Sequence, residues 1–218
     1  MMYTLPCYGD QILQWQTFYQ DQTMIISTRS QSLAVDEVAV QLKVEAPISA
    51  LVNVLLDVKN IPKWMFGVKQ VNILQKYTEK EYLMQILFVG LGPIDARDIV
   101  AYVKVEQNPQ DWAVTLEMRN RSQVLAKDPD FLRMIKAQAT WHIYPCQAGQ
   151  VVISYQGYFE PGGFMPSWWA NFLHRFQHKR TWLNLKTYLS KPVYQKSLNF
   201  IQEPPASFRQ WSALCKVA

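Results

Sequence analysis

Arg97 and Asp98 stand side by side at the head of a stretch rich in apolar residues, Ile99–Val105. Neighbouring residues of a strand face opposite sides, so one of the two can point inward. There it would hold a ligand head group or hydroxyl, or else anchor the strand's start through a salt bridge or a loop contact. His174 and His178 are four apart, the helical spacing of two metal ligands. No Glu lies between them, and Arg175 and Lys179 would repel a cation, so no metal site is expected. Glu117, Arg119 and Arg121 share one strand parity, opposite to Leu116 and Met118, which places them toward solvent. His142 alternates opposite Trp141 and reads as a solvent-facing strand residue. No serine sits in a nucleophile-elbow pattern. Gly90-Leu91-Gly92 lacks the further glycines and the helix of a phosphate loop. No pair of groups stands out as acid and base, so neither a catalytic residue nor a cofactor is expected.

The three cysteines, Cys7, Cys146 and Cys215, are widely spaced and odd in number. That argues against a disulfide-stapled secreted fold and for a reducing compartment. The N-terminal region has no basic segment followed by an apolar run, so no signal peptide is expected. No stretch approaches the ~20 apolar residues of a membrane span. The expected location is therefore cytoplasmic, with contact to a membrane surface at most. The 218 residues, 49% of them hydrophobic, suffice for one domain with a real core.

Charge is unevenly placed. Residues 1–160 hold 14 Lys or Arg against 16 Asp or Glu, a formal −2, whereas 161–218 carries +7. A basic C-terminal region suits an anionic partner, and it equally suits a helix with a basic solvent face. Interleaved Trp, Phe and basic residues would suit nucleic acid, but these aromatics recur at helical spacing and are needed for a core, so no nucleic-acid partner is expected.

The elements that must position these residues follow from periodicity. Ile12–Tyr19 and Thr23–Arg29 predict two strands joined at Gln20–Gln22. Val38–Ala46 alternates with period two and predicts a half-buried strand. Pro47 opens a helix carrying Leu51, Leu55 and Val58, which Asn60-Ile61-Pro62 should end. Strands are predicted over Gly67–Tyr77, Glu81–Val89, Ala96–Gln107 and Trp112–Met118, then a loop over Arg119–Asp130. Phe131–Tyr144 and Val151–Glu160 complete the strands, and short turns make successive ones antiparallel neighbours. Glu160-Pro161-Gly162-Gly163 stops the last, and a helix of roughly 34 Å runs from Ser167 to about Leu189. Trp169, Phe172, Leu173, Phe176 and Leu183 give it an apolar face, which Trp182, Leu185 and Leu189 extend. Residues 193–218 read as an extension packed on a domain formed by 1–192, with Phe208, Trp211 and Leu214 as anchors.

Several pieces of this chain resemble the START family, the steroidogenic-acute-regulatory-related lipid-transfer domains, in particular its bacterial and stand-alone members. They are Leu56-Asp57-Val58 with Pro62-Lys63-Trp64, Ile94-Asp95-Ala96-Arg97-Asp98, Trp141, Tyr155, and Glu160-Pro161-Gly162-Gly163 leading to Pro166, Trp168 and Asn171. Asn184-Leu185 is similar to the pair typical of the family's final helix. Glu160 stands where the family more often has Asp. The resemblance spans roughly Val38–Leu189 and implies an α+β helix-grip fold, a curved antiparallel sheet around a long C-terminal helix. It further implies a tunnel for one lipid or other apolar molecule, with Val89, Gly90, Leu91 and Gly92 and the final helix as gate.

Parity and helical face then nominate the tunnel wall: Val100, Tyr102, Leu116, Met118, Ile153, Tyr155, Phe172 and Phe176, with Arg97 or Asp98 at a polar end. For Ala96–Gln107 the facing is ambiguous, because both parities contain apolar residues. Trp168, Trp169, Arg175 and Lys179 would meet an anionic membrane surface near the gate. The expected function is binding of a lipid or apolar small molecule without transforming it, for carriage or sensing. Two alternatives stay open at this point: a polyketide-cyclase or aromatase-like enzyme of the same superfamily, and a protein-interaction module whose aromatics fill the tunnel.

Overall fold

The computed structural model describes residues 14–30, 36–91, 94–147, 149–163, 167–209 and 215. Ten strands form one sheet: β1 (Gln16–Gln20), β2 (Met24–Arg29), β3 (Glu37–Val44), β4 (Val68–Lys76), β5 (Glu81–Phe88), β6 (Arg97–Gln107), β7 (Val114–Asn120), β8 (Leu132–Arg133), β9 (Lys136–Gln147) and β10 (Gln150–Glu160). The order across it is β1-β2-β3-β10-β9-β7-β6-β5-β4. All neighbours on that path are antiparallel, as short turns require. The short β8 departs from the expectation by pairing parallel with β6. The strand expected over Phe131–Tyr144 is therefore broken between Arg133 and Lys136, and the single alternation seen from Ala137 belongs to β9 alone.

Helix α1 (Ile48–Leu56) follows β3, and a short helix α2 (Ile61–Trp64) follows α1. Helix α1 ends at Leu56, before Val58 and ahead of the stop expected at Asn60-Ile61-Pro62, and Pro62 sits in the first turn of α2, where its missing N–H costs nothing. Pro47 has no side chain to cap α1. The cap comes from the far end of the chain, because the Glu203 carboxylate accepts from the backbone N–H of Ile48 (3.0 Å) and Ser49 (2.7 Å). Nearby, the Tyr194 hydroxyl donates to Asp57 at 3.0 Å, and Asn53 donates to the carbonyls of Tyr194 and Lys196. Tyr194 and Ile201 are buried in the main core cluster. Phe208 packs edge-on against Trp112, ring centroids 5.0 Å apart, whereas Trp211 and Leu214 lie outside the described residues.

Cys146 is disulfide-bonded to Cys215 across a separation of 69 residues, which corrects the expectation drawn from the cysteine count. Spacing could not show the pair, because it is closed by the C-terminal tail returning to the end of β9. Structural disulfides persist in oxidising compartments, so the cytoplasmic placement loses the basis it had in the cysteines. Among the described residues no helix is long and apolar enough to cross a membrane.

Helix α3 (Ser167–Leu189) lies against one face of the sheet, where Trp182, Leu185 and Leu189 join the core. The β1–β2 edge reaches its basic side. The Arg175 guanidinium lies 5.6 Å from the Phe18 ring centre, the Lys179 ammonium 4.5 Å from that of Tyr19, and Lys186 donates to Thr23. Asp21 builds the turn of this hairpin, accepting from the Thr23 N–H and hydroxyl, the Met24 N–H and the Tyr19 hydroxyl. Burial alone would raise its pKa, but these bonds to the charged form outweigh that and hold it below the usual carboxylate value. A depressed folded pKa contributes stability above the unfolded value of about 3.9, lost as pH falls through the folded one. The Thr23 and Met24 amides should therefore lose hydrogen-exchange protection below about pH 4, ahead of the central strands. Unchanged relative protection down to pH 3 would contradict this assignment.

Candidate functional site

A pocket of about 200 Å³ opens between α3 and the face of the sheet that α3 covers. Sheet residues on its wall include Ile86 and Phe88 of β5, Met118 of β7, Trp141 of β9, and Tyr155 and Phe159 of β10. The helix contributes Leu173, Gln177, His178, Thr181 and Trp182. Met65 and Gly67, from the α2–β4 connection, and Val89, Leu91 and Ile94, from the β5–β6 connection, complete one side. Among the described residues lining it there is no carboxylate.

The aromatic wall is continuous. Trp141 lies against Trp182 (centroids 4.9 Å apart) and Tyr155 (4.8 Å), and Tyr155 also meets Trp182 edge-on at 5.3 Å. Burial drives the Tyr155 hydroxyl far above its ordinary pKa, so it stays protonated. Its ring lies over Gly157, two residues along the same face of β10. A Cβ at Gly157 would fall on the Tyr155 hydroxyl and 2.6 Å from its Cζ.

Polar residues of α3 fix the pocket's frame. Gln177 donates to the Phe66 carbonyl (3.0 Å), the Phe66 N–H donates to the Thr181 hydroxyl (3.0 Å), and Asn184 donates to the Trp64 carbonyl (3.1 Å). Three side chains at spacings of four and three thus hold the α2–β4 connection against the helix. The inward stripe of α3 is consequently polar over part of its length, which displaces the apolar face nominated from the sequence. Phe172 and Phe176 are 60% and 50% exposed, and Phe176 packs against Phe66 outside the pocket.

On β6 the inward parity is that of Arg97, Ile99, Ala101 and Val103, not that of Val100 and Tyr102. Val100 is buried outside the main core cluster, and half-buried Tyr102 meets Tyr77 edge-on. Leu116 and Ile153 share the inward face with Met118 and Tyr155 but belong to the packed core beyond the pocket. Asp98 is fully buried, accepting from Arg133 Nε (2.7 Å) and Gln85 Nε2 (2.8 Å). Arg97 does line the pocket, while its guanidinium donates to the carbonyls of Asp95, Pro161 and Gly162. Gly162 and Gly163 both hold positive φ, and a Cβ at Gly163 would lie 2.7 Å from Leu132 Cδ2. This left-handed turn, which glycine adopts freely, brings the two carbonyls to Arg97.

Val89 and Leu91 line the pocket beside Gly90, and Leu91 and Ile94 exchange backbone hydrogen bonds (3.0 and 3.2 Å). Gly92 lies outside the described residues. Trp168 and Trp169 fall in the first turn of α3, and their side chains, like that of His174, are outside the described part. Arg175 and Lys179 are exposed over the β1 rings already noted. His142 is half-buried on the opposite face of β9 from Trp141, paired with the Thr115 hydroxyl at 3.0 Å. Glu117 and Arg119 pair with each other, and Arg119 is exposed.

No protein-family model matches the sequence. An uncharacterized protein of Pseudomonas aeruginosa is 24% identical over 128 residues, 59% of this chain and 62% of its own length, so the chain matches less than two thirds of that relative. Among solved structures, a STAR-related lipid transfer protein from Xanthomonas axonopodis superposes with a TM-score of 0.73 at 24% identity, covering 81% of this chain and 99% of that one. Human STARD10 gives 0.70 at 16% identity over 82% of this chain and 74% of its own. Human StAR-related lipid transfer protein 5 gives 0.68 at 17% identity over 80% and 86%. The sheet order, the enclosing final helix and these superpositions agree: this chain has the helix-grip fold of the StAR-related lipid-transfer domains.

Proposed function

We propose that the chain binds a lipid-type or other apolar small molecule in the pocket under α3 and carries or senses it without chemical change. The observation that carries this reading is the pocket itself, walled by aromatic, methionine and aliphatic side chains. Each ligand methylene moved out of water there contributes about 0.8 kcal/mol. Of the pocket's polar side chains, Gln177 and Thr181 bond to Phe66 and Arg97 gives three of its five N–H donors to carbonyls, while His178 also lines the wall. No carboxylate lies on the described wall and burial keeps Tyr155 protonated, which supports binding without turnover.

A pocket of about 200 Å³ is smaller than the ~300–1,000 Å³ typical of sites for drug-sized ligands. That suits a compact or single-chain ligand. A larger lipid needs the connection around Val89, Gly90, Leu91 and Gly92 to move away from α3, the gate role assigned to it here. Arg175 and Lys179, with Trp168 and Trp169 in the same helix, would bring this end of the protein to an anionic membrane surface. The binding unit is residues 1–192, with 193–218 packed on it.

Native mass spectrometry of the purified protein, followed by denaturation and analysis of what is released, tests the proposal. The expected result is a stoichiometric apolar adduct. An unliganded mass, combined with failure to take up a solvatochromic apolar dye, would end it.

A further inference from the structure

The sheet contains two buried arginines with opposite circumstances. Arg133 has a buried carboxylate, Asp98, and its side chain is 1% exposed. Arg97 is 7% exposed, and its three hydrogen bonds all go to neutral backbone carbonyls: Pro161 (3.0 Å), Asp95 (2.6 Å) and Gly162 (3.3 Å). A guanidinium carries five N–H donors and keeps its proton in proteins, so Arg97 has donors beyond these three. Asp98, its neighbour in sequence, is on the other face and occupied by Arg133 and Gln85. Asp95 hydrogen-bonds Arg97 through its carbonyl, and its carboxylate, on an exposed residue, adds a favourable charge interaction that only partly offsets burial. Burial pushes the Arg97 pKa down, which marks a desolvated charge. A buried charge is ordinarily paired, and a guanidinium matches carboxylate or phosphate through two parallel hydrogen bonds.

Building on the apolar-ligand reading above, we propose that the ligand is a single-chain amphiphile with an anionic head, a carboxylate or a phosphate monoester, and that Arg97 receives that head while the chain lies along Trp141, Tyr155 and Trp182. Among the described residues the pocket's wall is apolar apart from a few groups and has no carboxylate, so the Arg97 cation selects for negative charge at one end of the ligand. The volume selects for one chain. Arg97 is then both the tie that holds the Pro161–Gly163 turn to β6 and the residue that sets head-group preference.

The test compares decanoate, decyl phosphate, methyl decanoate and decanol on the wild-type protein by isothermal titration calorimetry at neutral pH. At least one anion is expected to bind at least about tenfold more tightly than both neutral ligands, and the tighter of the two anions identifies the head. Arg97→Gln should abolish the preference, bringing the anion's affinity down to that of the neutral ligands measured on the same variant, and Arg97→Lys should retain part of the preference. If Arg97→Gln does not fold, the wild-type series decides alone. Equal or tighter binding of decanol and the ester overturns the head-group assignment and leaves the apolar pocket standing. No binding by any of the four overturns both.

Discussion

Replacing Asp98 by Ala should cost about 3–5 kcal/mol, the range for breaking a buried ion pair by removing one partner. The substitution leaves the Arg133 guanidinium 1% exposed and without its carboxylate, and strips Gln85 of its acceptor. Arg133 also donates to the carbonyls of Ser122, Leu125 and Ala126, so the node ties the β7–β8 connection to the start of β6. For a chain of this size each kcal/mol lowers Tm by roughly 2–4 °C, and a fall of about 10 °C is expected. Urea unfolding gives the free energy directly. A loss under about 1 kcal/mol would mean that water enters and solvates Arg133. Replacing Asp98 and Arg133 together with Leu and Met should recover part of the loss, since no charge is then stranded. Recovery stays incomplete because the three loop carbonyls lose their donor.

That node shows where sequence reading stops. Asp98 beside Arg97 announces a charged pair, and strand alternation says that one faces in. It does not say which, because apolar residues occupy both parities of β6: the inward side holds Ile99, Ala101 and Val103, and Val100 is buried on the other. Strand β6 is covered on both faces near its start, by the pocket and by the β7–β8 connection. Periodicity distinguishes inside from outside only where one face meets water. Arg133, which decides the matter, is 35 residues away, in a segment whose two-residue strand is too short to have a pattern.

The long helix failed differently. Its limits, Ser167 and Leu189, agree with the spacing, yet its apolar face was misplaced because Gln177 and Thr181 point inward and Phe172 and Phe176 do not. Inward polar residues are satisfied by the backbone of Phe66, a contact no local pattern encodes. One trace was available. Gln177, Thr181 and Asn184 fall at i, i+4 and i+7, a polar stripe on a helix that needed an apolar one. On β10 and β7 the reading was simpler: Tyr155 and Met118 alternate with half-buried and exposed polar neighbours, and both line the pocket.

Gly157→Ala should destabilise the protein, against the usual sign for a strand. Inside a strand Ala ordinarily stabilises by roughly 0.5–1 kcal/mol, because glycine loses more backbone freedom on folding. Here the added methyl would occupy the space of the Tyr155 ring, which Trp141 and Trp182 flank, and Phe159 Cε2 would be 3.1 Å from the same methyl. Overpacking of this kind costs about 1–3 kcal/mol. The decisive comparison is the double mutant. With Tyr155→Ala already in place, Gly157→Ala should become neutral or stabilising, giving a coupling energy of about 1 kcal/mol or more between the two sites. Additive effects would show that the cost comes from the β10 backbone and not from the ring. The single mutant has a second consequence for the pocket, since the displaced ring can move only into the space the ligand is proposed to fill. Its bound adduct should fall below stoichiometric in native mass spectrometry, whereas the double mutant, with the ring removed, should load again. A single mutant as fully loaded as the wild type would separate Tyr155 from the ligand's path.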